Sequence, residues 1–209
     1  MIVEEIMKKE VITVMPSTTL LEATTIMKEH RIRHLPVVDD LFRLVGIISD
    51  RDVRDALPSI LNHKDSSQLE TPIHSIMSTN IITGTPLDFI EEVAAIFYEF
   101  KISCLPIVKR EKLVGIITES DLLYTFVQLT GAHRPSSHIE LSIEDRPGVL
   151  SQVSAIFQNL NLNIISILLY PSSEEHHKRL ILRAQVMNTN DLVKELEKEG
   201  FDVLWPKII

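Results

Sequence analysis

Two short stretches of the chain carry its most chemically capable residue types. Ser49 and Asp52 stand in "GIISDRD", Gly46 to Asp52, and Thr118 and Asp121 stand in "GIITESD", Gly115 to Asp121. Each ends an apolar run with a hydroxyl and offers a carboxylate three residues later. That spacing resembles a capping box, whose usual third residue is Glu or Gln, so its simplest chemistry is to start a helix. Hydrolysis would need paired acids, and Asp50, Asp52 and Asp55 form such a group. Asp55 has no acidic counterpart in the second stretch, where Tyr124 stands. No G-x-S-x-G, Walker A, H-E-x-x-H or G-x-G-x-x-G motif occurs. We therefore expect no catalytic residue. His176 and His177 lie in "SSEEHHKR", a solvated hairpin turn without the acids of a metal site, so no metal is expected either. Cys104 reads as a small buried hydrophobe.

The elements that position these residues come from an internal repeat. Met7 recurs at Met77, Thr13 at Thr83, Pro16 at Pro86 and Pro36 at Pro106, an offset of 70 residues; Gly46 recurs at Gly115, an offset of 69. One deletion in the "DDLFR" hairpin accounts for the change. Each copy predicts the order β-α-β-β-α. An extended piece ends in proline, and an amphipathic helix follows. The first spans about Thr19 to His30, with Leu20, Ala23, Ile26 and Met27 on one face. The second spans about Asp88 to Lys101, with Asp88 as N-cap and Ile90, Val93, Ala94 and Phe97 inward. "HLPVVD" and "RLVGIIS" then read as paired strands, as do "CLPIVK" and "KLVGIIT". The last helix starts near Asp50 or Glu119.

The final third differs. "TGAHRPSS", residues 130–137, is a Gly/Pro/Ser break. Beyond it "HIELSI" alternates as a strand, "GVLSQVSAIFQNLN" reads as a helix, and "NIISILLY" and "KRLILRAQV" as strands. A short helix from Asp191 to Gly200 and the strand "FDVLW" complete β-α-β-β-α-β, the split ferredoxin-like order. The fold class is therefore α+β. The expected boundaries are 1–66 and 67–130 for the two copies, 131–137 for a linker and 138–209 for the last domain.

Composition narrows the function classes. The 209 residues carry a formal charge of −8, which argues against binding nucleic acid through many phosphate contacts. A single cysteine forbids an internal disulfide and fits a reducing compartment. The N-terminus lacks a signal-peptide apolar core, and no apolar run approaches the ~18 residues of a membrane span. A cytoplasmic protein without membrane partners is expected.

R-H-L-P-V-V-D followed by G-I-I-S-D-R-D, matched in register by S-C-L-P-I-V-K and G-I-I-T-E-S-D, resembles a CBS domain pair over roughly residues 1–130. D-R-P-G-V-L before a helix, followed by "LNLNII", resembles an ACT domain over about 138–206. Together they resemble the acetoin-utilisation protein B (AcuB) family over the full length.

The resemblance implies tandem CBS domains that bind adenosyl ligands, AMP, ATP or a related compound, in clefts between the copies. No further cofactor is implied. The acid of S/T-x-x-D would accept from both ribose hydroxyls, and the adjacent hydroxyl and helix-start N–H groups suit phosphate. Carried over, one cleft has Ser49 and Asp52, with Thr83, Ile102 and Pro106 around the base and Arg33, His34 and Arg51 at the phosphates. The other has Thr118 and Asp121, with Thr13, Ile32 and Pro36 around the base. Ser103, Cys104 and Ser120 there match the first cleft's cations, so a phosphorylated nucleotide is expected to prefer the Asp52 cleft. The ACT resemblance implies an amino-acid effector where the D-x-P-G loop of one subunit meets a strand of another. Its candidates are Asp145, Gly148, Val149, Leu150, Asn163 and Ile164. A homodimer that regulates an unidentified partner protein, with a role in acetoin utilisation, is the implied biology. The alternative is an interaction scaffold with degenerate sites.

Overall fold

The computed structural model describes residues 1–56 and 69–207. Its elements are α1 (Leu20–His30), β1 (His34–Val38), β2 (Leu44–Ser49), α2 (Asp50–Ala56), α3 (Ile90–Phe100), β3 (Cys104–Lys109), β4 (Lys112–Thr118), α4 (Glu119–Thr130), β5 (Ser137–Glu144), α5 (Val149–Asn159), β6 (Ile164–Pro171), β7 (His177–Ala184), α6 (Asn190–Lys198) and β8 (Asp202–Trp205). Two compact units divide the chain, Met1–Leu122 and Leu123–Ile209. The boundary expected at 66/67 falls outside the described residues.

In the first unit, α1 begins where Thr19 closes a capping box. Thr19 Oγ1 accepts from Glu22 N at 3.2 Å, and the Glu22 carboxylate accepts from Thr19 N at 2.9 Å. Leu20, Ala23 and Met27, at helical spacing, are buried. The helix stops at Arg31, which adopts the left-handed conformation (φ 53°). On α3 the buried residues are Val93 and Phe97. Two expectations fail there. Asp88 is not the helix cap: its carboxylate accepts from Thr85 N at 2.7 Å and Thr85 Oγ1 at 2.6 Å, holding the preceding turn. Ala94 is exposed, and Ile96 packs on the core in its place.

The antiparallel pairs β1–β2 and β3–β4 match in register, with Val37 opposite Gly46 and Ile107 opposite Gly115. The opening extended pieces are shorter than the expected strands. Each makes one parallel bridge, Val14 to Val37 and Gly84 to Ile107. Pro16 and Pro86 follow closely, and proline cannot extend a ladder.

The two copies exchange their opening segments. Val3, from the first copy's 3-10 turn, is fully buried with Val93, Phe97, Leu105, Ile107 and Ile117 of the second. Ile73, its counterpart, is fully buried with Leu20, Leu35, Ile48 and Val53 of the first. Backbone bonds repeat the exchange: Lys8 N donates to Ile116 O at 2.9 Å and Ile116 N to Lys8 O at 3.0 Å, while Ser78 and Ile47 exchange the same pair at 2.9 Å each. Met7 lies on Gly115 and Met77 on Gly46, positions where a Cβ would collide with the thioether sulfur.

In the second unit, β6-β7-β5-β8 form one antiparallel sheet. Its core joins Ile139, Leu141 and Ile143 of β5 and Leu180 and Leu182 of β7 to Val153, Ile156 and Phe157 of α5 and Leu192 and Leu196 of α6. The α5 helix opens at Gly148, whose φ of 89° suits glycine.

Gly115→Ala is expected to lower stability by about 1–3 kcal/mol through overpacking against Met7. Urea denaturation of Gly115→Ala, Met7→Ala and the double variant measures this, the double variant losing less than the sum of the two single losses.

Candidate functional site

Both hydroxyl–acid pairs form closed caps. Asp52 Oδ2 accepts from Ser49 N at 2.7 Å and Ser49 Oγ at 2.6 Å, and Asp52 N donates back to Ser49 Oγ at 3.3 Å. Asp121 Oδ2 accepts from Thr118 N at 2.9 Å and Thr118 Oγ1 at 2.6 Å, and Asp121 N donates to Thr118 Oγ1 at 3.4 Å. The capping reading is therefore realised with Asp in place of Glu. A carboxylate has about four acceptor positions, and the cap uses two of those of Asp52. The cap also fixes the direction in which Oδ1 points.

Each cap borders a cleft within the first unit. One, of about 280 Å³, is lined by Lys8, Glu10, Val11, Ile12, Arg31, Ile32, Arg33, His34, Ile116, Thr118 and Ser120. The other, of about 230 Å³, is lined by His34, Ile47, Ser49, Asp52, Ser78, Asn80, Ile81, Ile82, Lys101, Ile102, Ser103, Cys104 and Pro106. The repeat relates them: Lys8 matches Ser78, Glu10 Asn80, Ile12 Ile82, Arg31 Lys101, Arg33 Ser103 and Thr118 Ser49. Each cleft is thus built by the cap of one copy and the opening and strand-entry segments of the other.

This geometry reassigns several expected residues. Arg33 lines the cleft of Thr118 and not that of Ser49, because it follows Ile32 on the same strand entry. The expectation that the Thr118 cleft lacks cations is therefore wrong: Lys8, Arg31 and Arg33 all border it. Arg51 is exposed and lines neither cleft. Thr13 and Thr83 lie on separate grooves, with Leu21 and with Asp39 and Arg43 respectively. Pro36 is buried in β1 and lines neither cleft, whereas its counterpart Pro106 lines the Ser49 cleft. Ile102 and Ile32 fall in the expected clefts.

Lys8 and Asn80 escaped the sequence reading. Their signal was the repeated Ile-Met pair just before them, which marks the exchanged segment. Lys8 Nζ lies 3.4 Å from Asp121 Oδ1.

His34 borders both clefts, and its Nε2 lies 3.1 Å from Ser103 Oγ. Burial lowers its pKa from the ordinary histidine value, and the Arg33 charge lowers it further; Asp50, Asp52 and Glu119 oppose them. Cys104 is buried, and that burial, with Asp121 adding to it, pushes its thiol up to about 12.

In the second unit the effector candidates divide. Asp145 is ion-paired to Lys178 at 2.7 Å beside Gly148, and Leu150 is exposed. Val149 belongs to the core and borders a cavity of about 230 Å³ shared with Glu144, Arg146, Gln152 and His177. Asn163, bonded to Gln185 at 3.3 Å, and Ile164 lie at the other end of the sheet. Ile164 pairs with Ala184 and Glu144 with His177, so about 7 residues of strand, roughly 24 Å, separate the two groups. Within one chain they do not form a single site.

No helix among the described residues is long and apolar enough to cross a membrane. No group of three or more His, Cys, Asp or Glu among them is placed to hold a metal ion.

Comparison with known proteins matches residues 3–59 and 73–127 to a family described as "CBS domain", and residues 137–201 to "ACT domain". A structure from Vibrio cholerae, provisionally named an acetoin utilization protein (AcuB), is 34% identical with a TM-score of 0.57 and covers 66% of this chain and 98% of that one. The CBS domain pair of protein MJ0100, in complex with 5′-methylthioadenosine and S-adenosyl-L-methionine, is 32% identical with a TM-score of 0.54, covering 64% and 98%. CBSX2 in complex with AMP is 27% identical with a TM-score of 0.54, covering 61% and 96%. Curated relatives include a CBS domain-containing protein of Bacillus subtilis, 35% identical, of which this chain spans 81%, and longer proteins of which it spans 22–24%.

Two outcomes follow from the electrostatics. With its folded pKa below the unfolded value of about 6.5, His34 takes up protons more readily in the unfolded chain. Stability is full above that value and falls as pH drops through it, so His34→Gln is expected to flatten the fall in Tm between about pH 7 and pH 5. Separately, native protein at pH 8 is expected to resist thiol reagents at Cys104 while the unfolded chain reacts at once. Timed labelling followed by mass spectrometry checks the contrast.

Proposed function

Because this chain belongs to the CBS domain family and carries an ACT domain, we propose that it is a non-catalytic regulatory sensor whose two clefts each hold an adenosyl ligand. The observation that carries this reading is the pair of capped carboxylates: Asp52 lines one cleft built from both copies, and Asp121 is bonded to Thr118 and lies 3.4 Å from Lys8, both of which line the other. In each cleft the carboxylate accepts from the ribose hydroxyls. Apolar side chains, Ile12, Ile32 and Ile116 on one side and Ile47, Ile82 and Ile102 on the other, cover the base. The adenosyl complexes of the MJ0100 domain pair and of CBSX2 support this assignment.

For such a sensor to act on its regulated partner, the ligand must bind one of two conformations of the chain more tightly than the other. The proposal includes self-association. Ile167, Leu168, Leu169 and Tyr170 are exposed on β6, an edge strand of the sheet, and this supports it. An effector at the ACT domain would then draw on Asp145 and Gly148 from one copy and Asn163 and Ile164 from another. The Vibrio cholerae neighbour supports a role connected with acetoin utilisation.

Hydrogen bonds to a charged group contribute about 1.5–3 kcal/mol each, so Asp52→Asn and Asp121→Asn are each expected to weaken one cleft by tenfold or more while keeping the cap. Calorimetry and thermal shift with AMP, ATP, S-adenosylmethionine and 5′-methylthioadenosine measure this. If none of the four binds or stabilises the full chain at millimolar concentration, the sensor reading gives way to the scaffold reading.

A further inference from the structure

The two clefts share a backbone plan but not a charge pattern. Around the Thr118 cleft stand Lys8, Arg31 and Arg33, opposed by Glu10 and by Asp121, which lies 3.4 Å from Lys8. Among the described residues, Arg31 and Arg33 form no ion pair, so both guanidinium groups are available to an anion. Ser120, at the second position of the 12-residue helix α4, adds a hydroxyl and a helix-start N–H to the same wall. Around the Ser49 cleft the matching positions are Ser78, Lys101 and Ser103. Lys101 is the one Lys or Arg in that lining, and its ammonium already sits 4.0 Å from the centroid of the Tyr98 ring. The rest is largely apolar or neutral: Ile47, Ile81, Ile82, Ile102, Cys104 and Asn80.

We propose that the two clefts sort adenosyl ligands by charge. The Thr118 cleft takes the nucleotide that carries phosphate, with Arg31 and Arg33 as its specificity-determining cations. The Ser49 cleft takes an adenosyl compound whose 5′ substituent is not anionic, such as a thioether. This inference rests on the adenosyl-sensor reading and adds to it which ligand class enters which cleft. Guanidinium groups favour phosphate through paired, charge-assisted hydrogen bonds, whereas burying phosphate oxygens against isoleucine without such donors is unfavourable.

Calorimetry of the full chain with AMP and with 5′-methylthioadenosine, in wild type and four variants, tests the sorting. Arg33→Ser is expected to weaken AMP by about tenfold while leaving 5′-methylthioadenosine unchanged. Ser103→Arg, the reciprocal exchange, is expected to raise AMP affinity for the Ser49 cleft. Asp121→Asn is expected to remove mainly AMP binding, and Asp52→Asn mainly 5′-methylthioadenosine binding. AMP binding that survives Arg33→Ser and Asp121→Asn but fails in Asp52→Asn overturns the sorting while preserving the sensor. Absence of binding to wild type by both probes overturns the sorting, and absence of binding by ATP and S-adenosylmethionine as well overturns the sensor reading itself.

Discussion

The first unit depends on one constraint: neither copy of the repeat can finish its own core. Val3 fills the second copy and Ile73 the first, both fully buried. Burying a valine or isoleucine side chain is worth roughly 1.5–3 kcal/mol, and two backbone hydrogen bonds lock each exchanged segment beside the partner's strand. That lock brings Lys8 near Thr118 and Ser78 near Ser49. The clefts are therefore consequences of core completion. A ligand wall made from one copy and a cap made from the other cannot drift apart without opening a hydrophobic core.

The caps work on a second scale. A serine or threonine that accepts from the third residue's N–H starts a helix, and the same acid, by accepting in return, becomes a carboxylate with a fixed direction. One local device thus supplies both a secondary-structure boundary and a preorganised acceptor. His34, lying between the clefts and touching Ser103, sits where the fields of both meet. Its imidazole has Arg33 on one side and Asp50, Asp52 and Glu119 among the opposing charges, so the environment of each cleft is written partly into the other.

Features carried by local spacing were legible in the sequence. The repeat offset, the S/T-x-x-D caps, the helix faces of Leu20, Ala23 and Met27, and the β-α-β-β-α-β order of the second unit all follow from neighbours within a few turns. Features carried by the crossing of chains were not. Arg33 and Ile32 are adjacent, yet the sequence reading sent them to different clefts, because motif similarity says nothing about which copy's wall a side chain faces. Lys8 was invisible for the same reason: its role depends on pairing with Ile116. Asp88 failed differently. Its carboxylate had two local uses, helix cap or turn, and the hydroxyl of Thr85 drew it to the turn. In the second unit, sequence could name Asp145 and Asn163 but not the strand length that separates them.

The exchanged opening segments also set an order of events when the chain is made. Lys8 leaves the ribosome more than a hundred residues before Ile116, the strand residue that receives it. Val3 meets its core partners only from Val93 onward, and the first copy lacks Ile73 until that residue has emerged. Contacts of such long sequence separation slow folding, since the intervening chain must be ordered before they form. The first copy can therefore close its core only after Ile73 has followed it. The second closes only after translation of β4, when Val3, made long before, takes its place in that core.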